Sequence, residues 1–166
     1  MILSWGKPRI FVKDLNTEGA KYIELPTPVL DSTQLTTTKG DKKEAKVEGG
    51  ENEDVKYSKN TYALVLNIRQ AKGRKKPIHD EDGVIMHNYE VILMPEDSSI
   101  EGFKIDKSAV SVEDTWTAAD GGMWAYTFDA LKADKGDQVK WGLVTATGSG
   151  DSLDVEFTPT DDNGEE

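Results

Sequence analysis

The chain has 166 residues, 36% of them apolar and 31% charged, and a chain of this length can bury roughly two-thirds of its unfolded surface in one core. It contains no cysteine, so neither a disulfide framework nor a thiolate metal site can form, and a reducing compartment is favoured. Its 31 acidic residues outnumber its 20 basic residues and give a net charge of −11. This excess disfavours general nucleic-acid binding, which depends mainly on Lys and Arg.

The sequence contains no sign of a membrane or secretory segment. No run approaches the ~18 apolar residues that a membrane span requires, so we expect no membrane association. The first residues, MILSWGKPRIFVKD, lack a basic region followed by an apolar one, and we therefore expect no secretory signal.

Short strands are predicted in the first quarter of the chain. Residues 9–15 and 20–25 alternate around a turn-forming Asn-Thr-Glu-Gly sequence and predict a hairpin. A Thr-rich strand is expected over residues 32–39. Trp5, which precedes these strands, is expected to be a core or hairpin-clasping aromatic.

The most charged block is residues 41–59, DKKEAKVEGGENEDVKYSK. A disordered linker is one interpretation, but two alternating segments around a Gly-Gly pair favour a protruding hairpin. Its inward positions would be Ala45, Val47, Val55 and Tyr57, and its outward positions would be Lys42, Glu44, Lys46, Glu48, Glu53 and Lys56. Mixed charge of this kind protects an exposed sheet edge from unwanted pairing. The more specific hypothesis is that these outward residues form a polar interface with a neighbouring copy.

The clearest strand is Thr61–Arg69, TYALVLNIR. Every second residue is apolar and bulky, so an extended backbone places Tyr62, Leu64, Leu66 and Ile68 on one face. The segment therefore predicts a long, half-buried strand.

Residues 72–87 interrupt the strand pattern and predict a long functional loop or arm. The loop contains a short basic run, Arg74, Lys75 and Lys76. It does not predict a phosphate site, because the strand-to-helix setting of such a site is missing.

The same loop contains weak metal-site fragments. Asp80-x-Asp82-Gly83 lacks the remaining ligands of a calcium loop. His79 and His87 are the only histidines, and no carboxylate spacing around them defines a site, so they are expected to be ordinary loop residues. We therefore predict no metal and no cofactor.

The second half of the chain continues as short strands. They are predicted at residues 88–94, around 103–105, around 110–112, and over 124–128, 139–145 and 153–157. The first of these is apolar on both faces, so we expect it to be central and to pair near the opening strand. Residues 114–122 are expected to form turns.

About nine strands, with at most one or two short helices, predict an all-β protein: an antiparallel β-sandwich or partly closed barrel. We expect one β domain over residues 1–158, from which the hairpin 41–59 and the loop 72–87 protrude. Residues 159–166 are expected to be a disordered acidic tail.

No catalytic constellation is recognisable. The sequence has no G-x-S-x-G motif, no thiol and no histidine beside a serine. A retaining glycosidase on such a fold would need two facing carboxylates ~5.5 Å apart. Glu90 with Glu113 or Asp129 could supply them, but nothing in the spacing along the chain selects either pair. We therefore expect no enzymatic activity.

Residues 36–62, the strand that ends at Arg69, and residues 110–131, VSVEDTWTAADGGMWAYTFDAL, together resemble prophage-encoded structural proteins of the tail-tube kind. Such proteins occur in tailed phages and in related contractile secretion systems. The resemblance implies a β-sandwich or barrel subunit that forms rings, which stack into a tube for DNA or effector passage. It also implies self-association, contact with other tail components, and cytoplasmic assembly followed by residence in a virion or tail-like particle.

In this interpretation the hairpin 41–59 and the loop 72–87 are inter-subunit arms. The candidate inter-subunit contacts are Lys42, Glu44, Lys46, Glu53, Arg74, Lys75 and Lys76. An electronegative lumen would let DNA pass without adhering. The basic run would then point outward or pair with an acidic neighbour.

The alternative interpretation is a secreted or surface β-sandwich that binds a glycan or protein ligand. Exposed tryptophans such as Trp5, Trp116 or Trp124 would form its binding platform. The two interpretations differ in whether the chain associates with itself.

Overall fold

The computed structural model describes residues 1–160, which form eleven strands and one short 3-10 helix, with no α-helix among them. The strands are β1 (Arg9–Asp14), β2 (Ile23–Glu24), β3 (Gln34–Thr38), β4 (Lys42–Lys46), β5 (Asn52–Tyr57), β6 (Thr61–Arg69), β7 (Val84–Met94), β8 (Gly102–Thr117), β9 (Gly121–Ala130), β10 (Val139–Thr147) and β11 (Asp154–Pro159). All of their pairings are antiparallel. The predicted antiparallel all-β architecture is confirmed.

The chain ends differ from the predictions in one respect. The tail was expected to begin at residue 159, but Pro159 is the last residue of β11. Residues 161–166 of the predicted tail lie outside the described residues.

Within residues 1–160, no helix has the length and apolar character needed to cross a membrane.

Nine strands form one sheet, with the order β2-β1-β7-β8-β9-β6-β3 and a branch made of β10 and β11. The branch starts on β8, the longest strand. Residues 102–105 of β8 pair with β10, and residues 108–117 pair with β9, while β7 pairs along the opposite edge. The two short strands predicted around 103–105 and 110–112 are one continuous strand. The turns predicted over 114–122 are confined to 118–120, because residues 114–117 continue the ladder to β9.

The strand β7 carries apolar side chains on both faces and pairs with β1, as predicted for a central strand. Val91 lies in the main core, which also contains the fully buried Leu64, Leu66 and Ile68 of β6. Ile92 points to the other face, where Phe11, Val144 and Val155 form a smaller core beneath the β10–β11 hairpin. Burial of each large aliphatic side chain contributes about 1.5–3 kcal/mol, so both faces of β7 stabilise the sheet.

The strands β3 and β6 continue beyond the sheet as β4 and β5. Thr38 lies opposite Thr61 and Lys42 opposite Tyr57, so three residues lie between these pairs on each strand and the register is unbroken. At the junction the Gly40 amide donates to Asn60 Oδ1 at 3.0 Å. A Cβ on Gly40 would lie 2.0 Å from the Ser58 carbonyl oxygen, so this close crossing requires glycine. We refer to residues 41–59 as the arm.

Two of the tryptophans differ in exposure from the predictions. Trp5 was expected to be a core or clasping aromatic, but it is 79% exposed because it precedes β1 and belongs to no strand. Trp124, proposed as an exposed platform, is instead 7% exposed and lies in the main core. Trp116, near the end of β8, is 71% exposed.

Candidate self-association site

The arm extends from the sheet as a free two-stranded ribbon. β4 and β5 form a separate sheet in which each strand pairs only with the other. All of their residues are exposed except Val55, which is half-buried. An extended strand advances about 3.3 Å per residue, so the ribbon reaches roughly 30 Å from Gly40 to its turn at Gly49.

The arm does not gather its apolar residues on one face, and that part of the prediction was wrong. Val55 lies opposite Glu44, and Tyr57 lies opposite Lys42, whereas Ala45 lies opposite Asp54 on the other face. The physical reason is the register that the arm inherits from the β3–β6 ladder, which fixes which residues are opposed.

Near the end of the arm the pairing shifts at a β-bulge between Ala45 and Lys46, where Asn52 and Asp54 are the opposed residues of β5. Glu53 is therefore the extra, unopposed residue of the bulge. This placement separates Glu53 from the other candidate contacts on the arm, which all lie on β4.

Three of the candidate contacts lie on one face of β4 and bind one another. Glu44 Oε1 is 2.7 Å from Lys42 Nζ, and Glu44 Oε2 is 3.6 Å from Lys46 Nζ. The hydrogen bond from Lys42 lowers the pKa of Glu44, and Glu44 in turn raises the pKa of Lys42. Such exposed pairs contribute little to stability, because water screens them.

Charge is unevenly distributed along the arm. Residues 47–54, VEGGENED, include four carboxylates and no Lys or Arg, and we call them the acidic tip. Of the five lysines of the arm, Lys42, Lys43, Lys56 and Lys59 lie nearer its root, whereas Lys46 lies opposite Asn52 at the base of the tip. The tip closes through a bond from the Val47 amide to the Glu51 carbonyl at 3.0 Å, and its two glycines have φ angles of +98° and +89°.

The basic run lies apart from the arm and is largely bound within the chain. The Lys76 ammonium is 2.8 Å from Asp80 Oδ1 and 2.9 Å from Asp114 Oδ1. Arg74 donates to the Arg69 carbonyl at 2.8 Å. Lys75 is exposed and makes no ion pair with any residue from 1 to 160.

The loop predicted over 72–87 differs from a protruding arm in two ways. Ile78, near its middle, is 2% exposed and lies in the main core, where its carbonyl accepts a hydrogen bond from the Tyr126 hydroxyl at 3.0 Å. Burial raises the pKa of Tyr126 to about 12. In addition, β7 begins at Val84, so His87 is a strand residue, and its Nδ1 lies 2.8 Å from Asp14 Oδ2.

A charged cleft that sequence reasoning missed lies beside β7, β8 and β10. It has a volume of about 600 Å³, and four lysines contribute to its lining: Lys104, Lys107, Lys135 and Lys140. Three carboxylates, Glu90, Asp106 and Asp134, also line it. We call this the lysine cleft. No local sequence signal marks it, because the branch of the sheet at β8 brings its residues together.

Two lysines of the cleft are held by carboxylates in its floor. Lys104 Nζ is 3.4 Å from Glu90 Oε1 and 3.7 Å from Asp106 Oδ1, and Lys140 binds the other oxygen of Asp106. Lys107 and Lys135 are exposed and make no ion pair within the described part of the chain. The exposed Asp134 lines the cleft beside them, so the outer part presents two lysines against one carboxylate, a net charge of +1.

Glu90 is the buried anchor of this network, with an exposure of 8%. Its carboxylate accepts a hydrogen bond from the Tyr22 hydroxyl and lies 3.7 Å from Lys13. Burial, and then this hydrogen bond, raise the pKa of Tyr22. Neither Glu113 nor Asp129 is among the hydrogen-bond or ion-pair partners of Glu90.

Comparisons with known proteins identify no relative from which a function could be inferred. A scan against protein-family models finds no match, and a search of the curated proteins finds no significant match either. Within residues 1–160, no group of three or more His, Asp or Glu side chains is arranged to hold a metal ion. A functional argument therefore rests on two surfaces of residues 1–160. The arm packs against no other strand of its own chain, and the outer lysines of the cleft make no ion pair within these residues.

Replacing Lys76 with methionine is expected to lower the free energy of unfolding by about 1–3 kcal/mol at pH 7, because Asp80, 5% exposed, loses its cation. The bond from Lys76 holds the pKa of Asp80 below its ordinary value. This stabilisation is therefore complete above about pH 3.9 and is lost as the pH falls through the lower, folded-state pKa. Urea unfolding at several pH values between 7 and 2 measures the difference between variant and wild type, which should shrink with acid.

The matched control is Lys75→Met, which removes a neighbouring but unpaired charge and should change stability by less than about 0.5 kcal/mol. Equal losses in both variants, or a Lys76→Met loss that is independent of pH, would contradict the assignment.

Proposed function

We propose that this chain is a structural subunit of a phage-tail-like tube, which self-associates into rings that stack around a passage for DNA or an effector. The observation that carries the proposal is the arm. A ribbon of roughly 30 Å extends into solvent with almost no side chain buried against its own chain. A second copy of the same protein is the partner that would always be present to cover it.

Physical reasoning supports a role for the arm in association. A two-stranded hairpin is marginally stable by itself in water, because it has no further strand or helix against which to bury its side chains. Its two outer edges carry backbone donors and acceptors that no strand among residues 1–160 pairs with, and the mixed charge along them restricts pairing to a partner of complementary charge. An arm of one copy that binds a different surface of the next makes a heterologous contact, which builds rings or open filaments.

The charge of the chain supports a passage for DNA. A net charge of −11 repels phosphate, so DNA would move through a tube of such subunits without adhering. The basic run at 74–76 opposed this interpretation at the level of sequence. Because Lys76 is paired with Asp80 and Asp114, the charge of the run is partly neutralised within the chain.

The test removes the arm without disturbing the sheet. Residues 40–59 are replaced by Asn-Gly, which joins Lys39 to Asn60 by the two-residue turn that twisted hairpins favour. The β3–β6 register would place these two residues opposite each other, so the sheet is retained. Light scattering across a concentration series, with negative-stain microscopy, should find rings or tubes for the wild type and an unassembled but folded protein for the variant.

Two results would count against the proposal. One is a wild type that remains a monomer of 18.3 kDa at every concentration. The other is an Asn-Gly variant that assembles as readily as the wild type. Circular dichroism and the thermal midpoint of the variant establish that it is folded.

A second candidate function, a module that binds a glycan or protein ligand, is favoured by the exposure of Trp5 and Trp116, at 79% and 71%. In this case Trp116→Ala should abolish binding on a glycan array and leave the thermal midpoint unchanged. The control Trp124→Ala removes a core side chain and should cost about 3–5 kcal/mol of stability. An array that shows no binding by the wild type rejects glycan recognition.

A further inference from the structure

We propose that the acidic tip of the arm of one copy binds in the lysine cleft of a neighbouring copy. This inference rests on the proposed function, and it deepens it by naming the surface that receives the arm. It commits to one occupant of the cleft, a second copy of this chain. The contact would be repeated from subunit to subunit, because each copy carries both the tip and the cleft.

The charges of the two surfaces are complementary. The tip carries Glu48, Glu51, Glu53 and Asp54 with no basic residue among them. The cleft carries four lysines against three carboxylates, a local excess of positive charge in a chain whose net charge is −11. Opposite potentials of this kind steer two surfaces together and fix their register.

The cleft is built to receive carboxylates. Its floor lysines, Lys104 and Lys140, are held in place by Glu90 and Asp106, so little side-chain entropy is lost when they bind an incoming group. Its outer lysines, Lys107 and Lys135, have no carboxylate partner among residues 1–160. A carboxylate from outside the chain would supply one.

The shape of the tip suits a cleft of about 600 Å³. The turn contains Gly49 and Gly50, which bring no side chains, and their positive φ angles keep it tight. The carboxylates of Glu48 and Glu51 flank this narrow turn. A slender, glycine-centred turn can enter a cleft that a bulkier one could not.

The geometry favours a neighbouring copy over the same copy. The arm leaves the sheet at β3 and β6, whereas the cleft lies beside β7, β8 and β10, and β9 separates β8 from β6 in the sheet. The unbroken register carries the arm outward from its root. Binding within one chain would require the arm to fold back at Gly40, which is closely packed against Ser58.

A charge-reversal experiment tests the contact on the full chain. The cleft variant is Lys107→Glu with Lys135→Glu, and the tip variant is Glu51→Lys with Glu53→Lys. All four positions are exposed, so the fold should be unaffected. Each double variant should raise the concentration needed for assembly about tenfold or more, and the combination of all four should restore assembly toward the wild-type value.

The matched control is Lys7→Glu with Lys21→Glu, which changes the net charge by the same amount at exposed lysines outside the cleft. It should change the assembly concentration much less than the cleft variant. Assembly of the wild type should also weaken with added salt, because salt screens attraction between exposed charges. Equal effects of the control and cleft variants, or no rescue in the combination, would overturn the proposed contact.

Cross-linking gives a second measurement that does not depend on charge. The chain has no cysteine, so Glu51→Cys combined with Lys135→Cys forms disulfides only between the introduced thiols. Mild oxidation should yield a ladder of covalent oligomers on a denaturing gel, whereas each single variant can yield no species larger than a dimer. A closed monomer of altered mobility, or no ladder, would overturn docking between copies.

The acidic residues of the chain terminus are the competing occupant, because Asp161, Asp162, Glu165 and Glu166 also suit a lysine cleft. A variant that ends at Thr160 should assemble as well as the wild type. If that truncation abolishes assembly while the tip variant leaves it intact, the terminus occupies the cleft and the proposal fails. If the tip variant assembles as readily as the wild type, this contact alone is refuted, whereas a wild type that never assembles refutes the proposed function as well.

Discussion

The ladder between β3 and β6 determines where the arm begins and in which register it continues. On one face, β6 contributes three fully buried side chains to the main core, and along its other edge it pairs with β9. The arm is therefore attached to the sheet through β6, which is anchored in the core, and through β3, an edge strand whose residues are mostly exposed. Beyond Gly40 the same register continues into a ribbon that nothing else covers. A stable root and an uncovered end are what a self-assembling subunit requires, since the root orients an arm that is free to bind another copy.

Much of the fold could be predicted because strand residues alternate between two environments. The limits of β6 agree with the prediction, and the apolar character of both faces of β7 correctly indicated a central strand. The prediction was wrong where pairing overrides local preference. Residues 114–117 resemble a turn in isolation but belong to β8, because β9 provides a ladder for them. Trp5 has the character of a core residue, yet no strand places it in the core.

The candidate site was harder to predict than the fold, because it depends on contacts between distant parts of the chain. The hairpin could be located from its composition, but which of its residues share a face follows from the β3–β6 register and not from its own alternation. Lys76 was a candidate inter-subunit contact, and the structure places Asp114, 38 residues away in the sequence, beside it. The lysine cleft combines β8 with the segment between β9 and β10, and no spacing along the chain indicates that these meet.

The central claim is that the arm is uncovered in a single copy and becomes covered when copies associate. Hydrogen exchange of the backbone amides, measured by mass spectrometry at a dilute and at a concentrated protein solution, tests it most directly. In the dilute sample the amides of β4 and β5 should exchange rapidly, while those of β6 and β9 are protected. In the concentrated sample, exchange in β4 and β5 should slow at least about tenfold, because each arm is then bound by a neighbour. The account is contradicted if the amides of the arm exchange as rapidly in the concentrated sample as in the dilute one, although the measured mass shows that copies have associated.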